Sequence, residues 1–183
     1  MYYDSNIPVA KRLTEKQIEV TEKLLSFIPA IEETVKRFDG KIANKRIETA
    51  LQAIARGITF RKSPYSGNWE LTATEYDDRA VQCDTDCCGY SSWHYIENET
   101  LYLADSYREN AFVDGEGRLN AEKLISLIER KREMYQNDVD RMKEQLSRID
   151  SIIATYKSIQ KMKEDFNNTI DSSIRHYFKL ELK

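Results

Sequence analysis

The 183-residue chain has little that would break it up or staple it together. Only six glycines and three prolines punctuate it, so few turns are available and long helices are expected. Three cysteines, all within residues 83–88, are too few and too clustered for a disulfide framework, and an odd number fits a reducing compartment. The opening MYYDSNIPVAKRL lacks the basic start and apolar run of a secretory signal, and no stretch approaches membrane-span length. A cytoplasmic protein with no membrane partner is expected, in which the sequons at Asn98 and Asn167 carry no glycan.

Catalytic signatures are missing as well. There is no glycine-rich phosphate loop, no nucleophile elbow and no helical pair of histidines one turn apart. The two histidines, His94 and His176, are far apart in sequence, and Cys88 with His94 has no third group to orient it as a nucleophile pair. The expectation is a non-enzymatic protein without a cofactor.

What the chain does have is charge, at 32% of residues, set against 40% apolar residues, a balance typical of long solvated helices. Leu13-Thr14-Glu15-Lys16-Gln17-Ile18 has the form of a capping box with its hydrophobic staple, so a helix is predicted from residue 15. Leu24, Ile28, Ile31, Val35 and Phe38 form one apolar stripe on it, Pro29 should kink it, and Asp39-Gly40 should end it. A second helix over roughly 42–56 turns Ile42, Ile47, Ala50, Leu51 and Ile54 inward and stops at Gly57.

From residue 58 to 104 the period becomes two. Ile58/Phe60 and Trp69/Leu71/Ala73 alternate around the turn SPYSG, which reads as a hairpin. Val81, Cys83, Thr85 and Cys87, then Trp93–Ile96 and Thr100–Leu103, continue the alternation into an antiparallel meander of four to five strands. After the turn DGEG at 114–117, Asn120 is placed to cap a helix running to about 166. Nine of ten heptad positions between Ile125 and Tyr156 are apolar, after which the stripe shifts to Ile159, Met162, Phe166 and Ile170 with a bend expected near Asn167-Asn168. The tail at 178–182 alternates like a short strand.

The fold class expected is therefore α+β: an N-terminal helical pair (1–57), an acidic antiparallel sheet (58–118) and a long coiled-coil-like C-terminal helix with its tail (119–183), all co-folded. A helix of that length, about 69 Å, outruns the one at 15–38, about 36 Å. The uncovered seam either folds back on itself or joins a second copy, and a homodimer is the expectation.

The stretch CDTDCCGYSSWH poses a metal question, because Cys83, Cys87, Cys88 and His94 form a Cys3His set of a kind that binds zinc. Tetrahedral ligands hold sulfurs within roughly 4 Å. Residues four apart in a strand lie about 13 Å apart. Strand and shared metal exclude each other, and strict alternation favours the strand, so no metal site is expected. A calcium loop starting at Asp84 fails at its third ligand position, Cys88, and at its last, Tyr95.

The net charge of −3 conceals a strong segregation. Residues 36–62 hold eight basic and two acidic side chains; residues 63–122 hold three basic and thirteen acidic ones. In the basic block Lys36, Arg37, Lys41, Lys45, Arg46, Arg56, Arg61 and Lys62 fall on a helix, turn, helix, hairpin order. That is the outline of a winged helix-turn-helix for double-stranded DNA, with helix 42–56 as reader and SPYSG as wing tip, although the usual third helix before the pair is absent. The bland version is a solvated basic face.

In the acidic block Glu75, Asp77, Asp78, Asp84, Asp86, Glu97 and Glu99 interleave with tyrosines and tryptophans. Carboxylates spaced along a sheet can imitate a run of phosphates and enter a basic groove built for nucleic acid, with aromatics as anchors. The alternative is that alternating strands merely turn acids outward and aromatics inward. With its small size and its acidic, Tyr-rich run NWELTATEYDDRAVQCDTDCC, the chain resembles the accessory proteins by which phages and mobile elements disarm bacterial defence, among them anti-CRISPR inhibitors of Cas9. The resemblance is one of texture without a shared motif, so no residue role transfers. It implies a DNA-mimicking inhibitor whose partner is a protein or ribonucleoprotein complex such as a nuclease. The DNA-binding regulator is the other reading, and a small zinc module the third.

Overall fold

A computed structural model describes residues 6–75, 80–83, 92–95, 99–107 and 110–169. The architecture is α+β. Helices α1 (Asn6–Ser26), α2 (Ile28–Arg37) and α3 (Lys45–Gln52) precede strands β1 (Ile58–Lys62), β2 (Trp69–Glu75), β3 (Ala80–Cys83), β4 (Ser92–Tyr95) and β5 (Glu99–Asp105), and helix α4 (Ala121–Thr169) follows. The chain divides into two compact units, residues 1–143 and 144–183.

The first helix departs from expectation at both ends. It begins by Asn6, so Thr14 lies within it and cannot cap it; Pro8 sits in its first turn, where a missing N–H costs nothing. Pro29 does more than kink the helix. Lacking the N–H that would bond the carbonyl four residues back, it ends one helix and starts another, standing in the first turn of α2. Phe27 is the joint: its N–H reaches the carbonyl of Leu24 at 3.2 Å, and its own carbonyl accepts from Ile31 at 3.0 Å. Ile28, Ile31 and Val35 are then fully buried along α2.

The helix expected over 42–56 contracts to α3. Asn44 caps it, its side chain accepting from the Arg46 N–H at 2.9 Å. Residues before Asn44 are claimed by a segment far along the chain: Leu119 N–H donates to the Lys41 carbonyl at 2.9 Å and Ala43 N–H to that of Gly117 at 2.8 Å. Ile42, bridged to Arg118, is consequently 53% exposed instead of inward. Ile47 and Leu51 carry the burial.

The β1–β2 hairpin forms in the register its alternation dictates, Ile58 opposite Ala73 and Phe60 opposite Leu71. A single meander does not follow. Among the described residues the main sheet has three strands in the order β1-β2-β5, all antiparallel, while β3 and β4 pair only with each other. β5 takes the place beside β2 because Leu101 and Leu103 bring apolar side chains to the same buried face as Leu71 and Ala73. The strand expected over 81–87 is described only to Cys83; Thr85, Cys87 and the tail at 178–182 lie outside the described residues.

The turn at 114–117 forms as read, with Asp114 accepting from Glu116 N–H at 2.9 Å and Arg118 N–H at 2.8 Å, and Gly117 at φ +79°. Asn120 then caps α4 by accepting from Lys123 N–H at 2.9 Å. In the first unit Leu124, Ile128 and Val139 of α4 are fully buried, and Lys143 is ion-paired with Glu22 of α1 at 2.6 Å. In the second unit Ile152, Tyr156, Ile159 and Met162 are exposed. The helix runs through Asn167-Asn168 to Thr169.

Tyr135 of α4 finishes the edge of β5. Its hydroxyl accepts the Tyr102 N–H at 3.0 Å and donates to the Tyr102 carbonyl at 3.3 Å. Burial pushes this phenol above its ordinary 10.0, Glu99 and Asp138 add to the shift, and the bond to the Tyr102 backbone opposes it without prevailing. The folded chain thus holds the proton more tightly than the unfolded one. The stabilisation is complete below about pH 10 and is lost as pH rises through the raised folded value. Urea midpoints at about pH 9 and pH 11 should fall further for the wild type than for Tyr135→Phe; equal losses would show that this phenol is not responsible.

Candidate nucleic-acid interface

The split at Phe27 changes the count of helices before the hairpin. α1, α2 and α3 now precede β1 and β2, supplying the third helix that the sequence pattern lacked. Gly40, at φ +67°, allows the chain to leave α2, and its N–H bonds the Leu119 carbonyl at 2.8 Å. The turn between α2 and α3 is thereby tied to the strand-like segment before α4.

α3 buries one side and presents the other. Ile47 and Leu51 face the core, whereas Lys45, Arg46, Thr49 and Gln52 are exposed along one face. Thr49 Oγ1 donates to the Lys45 carbonyl at 2.9 Å, and Gln52 lies 3.5 Å from Glu48. Thr49 and Gln52 were not among the candidates drawn from charge; only the helix boundaries reveal that they share a face with Lys45 and Arg46.

The hairpin places Arg61 and Lys62 at the mouth of its turn, both exposed. The turn itself is well fixed: Ser63 N–H donates to the Asn68 carbonyl at 2.7 Å, Gly67 N–H to that of Ser63 at 2.9 Å, and Gly67 adopts φ +71°. Tyr65 projects from its tip, 98% exposed. A tyrosine so open in a hydrogen-bonded turn contributes nothing to the core, and its only sequence signal is its position between Pro64 and Ser66 in a turn.

All six basic candidates are solvent-exposed. Lys41 stands over the Phe38 ring, 5.4 Å from its centroid, and none of Lys41, Lys45, Arg46, Arg56, Arg61 and Lys62 forms an ion pair among the described residues. In strand register Arg61 lies opposite Glu70, which lies opposite Asp105.

The acidic candidates are distributed differently. Glu75 and Glu99 stand opposite each other in β2 and β5, and Glu75 is ion-paired with Lys23 of α1. Residue parity puts them on the face of Leu71 and Ala73, while Glu70 belongs to the other face. Asp77, Asp78, Asp84, Asp86 and Glu97 lie outside the described residues. Of the cysteine set, Cys83 opposes Ser92 and His94 opposes Val81 in the β3–β4 ladder; Cys87 and Cys88 lie outside the described residues, as does His176. Among the described residues no group of three His, Cys, Asp or Glu side chains is arranged to hold a metal ion, and no helix is long and apolar enough to cross a membrane.

Set against protein families, curated proteins and solved structures, the chain matches none of them.

Proposed function

We propose that the protein binds double-stranded DNA through α3 and the β1–β2 hairpin, in the manner of a winged helix-turn-helix. The observation that carries this reading is the set of six exposed cations, none ion-paired among the described residues, on a helix-turn-helix followed by a hairpin. A major groove about 12 Å wide admits a helix such as α3, whose exposed Arg46 and Gln52 are the side-chain types that read guanine and adenine edges. Lys41, Lys45, Arg56, Arg61 and Lys62 act around that face as phosphate contacts, which position the protein without reading sequence.

The test is fluorescence anisotropy with a labelled duplex of about 20 base pairs over a salt series. About five phosphate contacts give a slope of log K against log salt near −4.5. A slope near zero, or no binding at about 50 mM salt, would remove this reading.

A second copy of the chain belongs to the same reading. Ile152, Tyr156, Ile159 and Met162 of the second unit expose apolar surface along one side of a helix, a seam suited to its own counterpart. Light scattering across concentration should give twice the chain mass, falling towards a monomer for Ile152→Glu with Ile159→Glu. A monomer at all concentrations for the wild type would reject the pairing.

A further inference from the structure

We propose that the groove between β5 and the first unit of α4 takes up an extended acidic peptide, which adds to the free edge of β5. The inference is independent of DNA binding. β5 is the last strand of its sheet, so its outer edge has no strand neighbour among the described residues. At Tyr102 a side chain stands in for that neighbour. The single Tyr135 hydroxyl both accepts the strand N–H and donates to the strand carbonyl, the two bonds an adjacent strand would supply. The edge is therefore in a conformation that pairs.

One helical turn before Tyr135 no such plug is present. A cavity of about 430 Å³ opens there between strand and helix, floored by Leu103, Ala104 and Leu127 and edged by Met134, Arg130 and Lys131. Among the described residues Arg130 makes only a long bond to the Ser126 carbonyl, 3.4 Å, and neither cation forms an ion pair. Among the described residues that line the cavity the one carboxylate is Asp105, which lies opposite Glu70 in register and forms no ion pair with either cation. A strand edge supplies backbone hydrogen bonds, the apolar floor accepts alternate side chains, and the two cations select acidic ones.

The probe is a fluorescein-labelled, amidated heptapeptide alternating valine and glutamate, compared with its valine–lysine counterpart, against the full chain. Binding of the glutamate peptide should shift the backbone amides of Leu103, Ala104 and Asp105 in NMR spectra. Arg130→Glu with Lys131→Glu should weaken it at least about tenfold, with a melting temperature changed by no more than about 2 °C because Arg130 is exposed, Lys131 is half-buried, and neither is ion-paired among the described residues. Tyr135→Phe exposes the Tyr102 N–H and carbonyl to the peptide and should tighten binding about fivefold, a gain that loss of a merely structural tyrosine would not give. Equal binding of the lysine peptide, shifts confined to other residues, loss of binding in Tyr135→Phe, or no binding at about 1 mM peptide would each overturn the proposal.

Discussion

Changing Lys45, Arg61 and Lys62 together to glutamate should weaken binding to duplex DNA roughly 500-fold at about 0.1 M salt. Each phosphate contact contributes about 0.9 to the salt slope, so losing three of about five takes the slope from near −4.5 to near −1.8. At about 0.1 M salt the same loss amounts to some 2.7 decades of affinity, and the added negative charge can only deepen it. Folding should be untouched, because all three side chains are exposed and none is ion-paired among the described residues; the one local consequence is Arg61→Glu facing Glu70 across the β1–β2 ladder. Two reversals in the second unit, Lys157→Glu and Lys161→Glu, keep the comparison honest about overall charge. If those weaken binding as much per charge, the effect is the field of the whole chain and α3 with its hairpin holds no special place.

The sequence and the structure agree where a local signal has no competitor. The hairpin was legible because Ile58/Phe60 and Leu71/Ala73 alternate across a turn containing Gly67, and period-two alternation with a tight turn leaves one register that buries one face. α4 was legible from Asn120 and a long apolar stripe, the cap marking its start and the stripe its continuation. Disagreement appears where distant segments compete. Lys41 to Ala43 could extend α3 by local preference, yet their backbone groups pair with Gly117 and Leu119, over seventy residues later in the chain. Strands adjacent in sequence were read as adjacent in the sheet; β5 instead displaced β3 beside β2, since partner choice depends on which strand completes the buried face.

The candidate site shows the same division. Its charges were visible as composition, but the face formed by Lys45, Arg46, Thr49 and Gln52 depends on where α3 begins and ends. Pro29 announces a disturbance in the sequence alone. Whether it kinks or ends a helix turns on the Phe27 carbonyl, which bonds Ile31 and so serves α2. The link from Tyr135 to Tyr102 spans thirty-three residues and joins a helix face to a strand edge, with no local pattern to announce it.

Gly57→Ala should be among the most destabilising single substitutions in the chain, costing about 3 kcal/mol or more. Gly57 is buried where α3 leads into β1, and its carbonyl accepts the Thr74 N–H at 2.9 Å. A Cβ there would lie 1.7 Å from the Thr74 carbonyl oxygen, a backbone atom that cannot swing aside like the end of a long side chain. Retreat is blocked as well, because β2 is the central strand and Thr74 is bonded on its far side to Thr100, hydroxyl to hydroxyl at 2.9 Å. Something larger must give: the end of the β1–β2 ladder, where Ile58 and Ala73 are both fully buried, opens and exposes the core it closes. For a chain of this size the loss corresponds to a fall in melting temperature of roughly 6–12 °C, followed by circular dichroism. Gly115→Ala is the matched control, since a Cβ there meets open space, and it should shift the melting temperature by no more than about 2 °C. Should Gly57→Ala melt within about 3 °C of the wild type, the close approach of the two backbones would be no constraint, and the joint between α3 and its hairpin would be looser than these distances require.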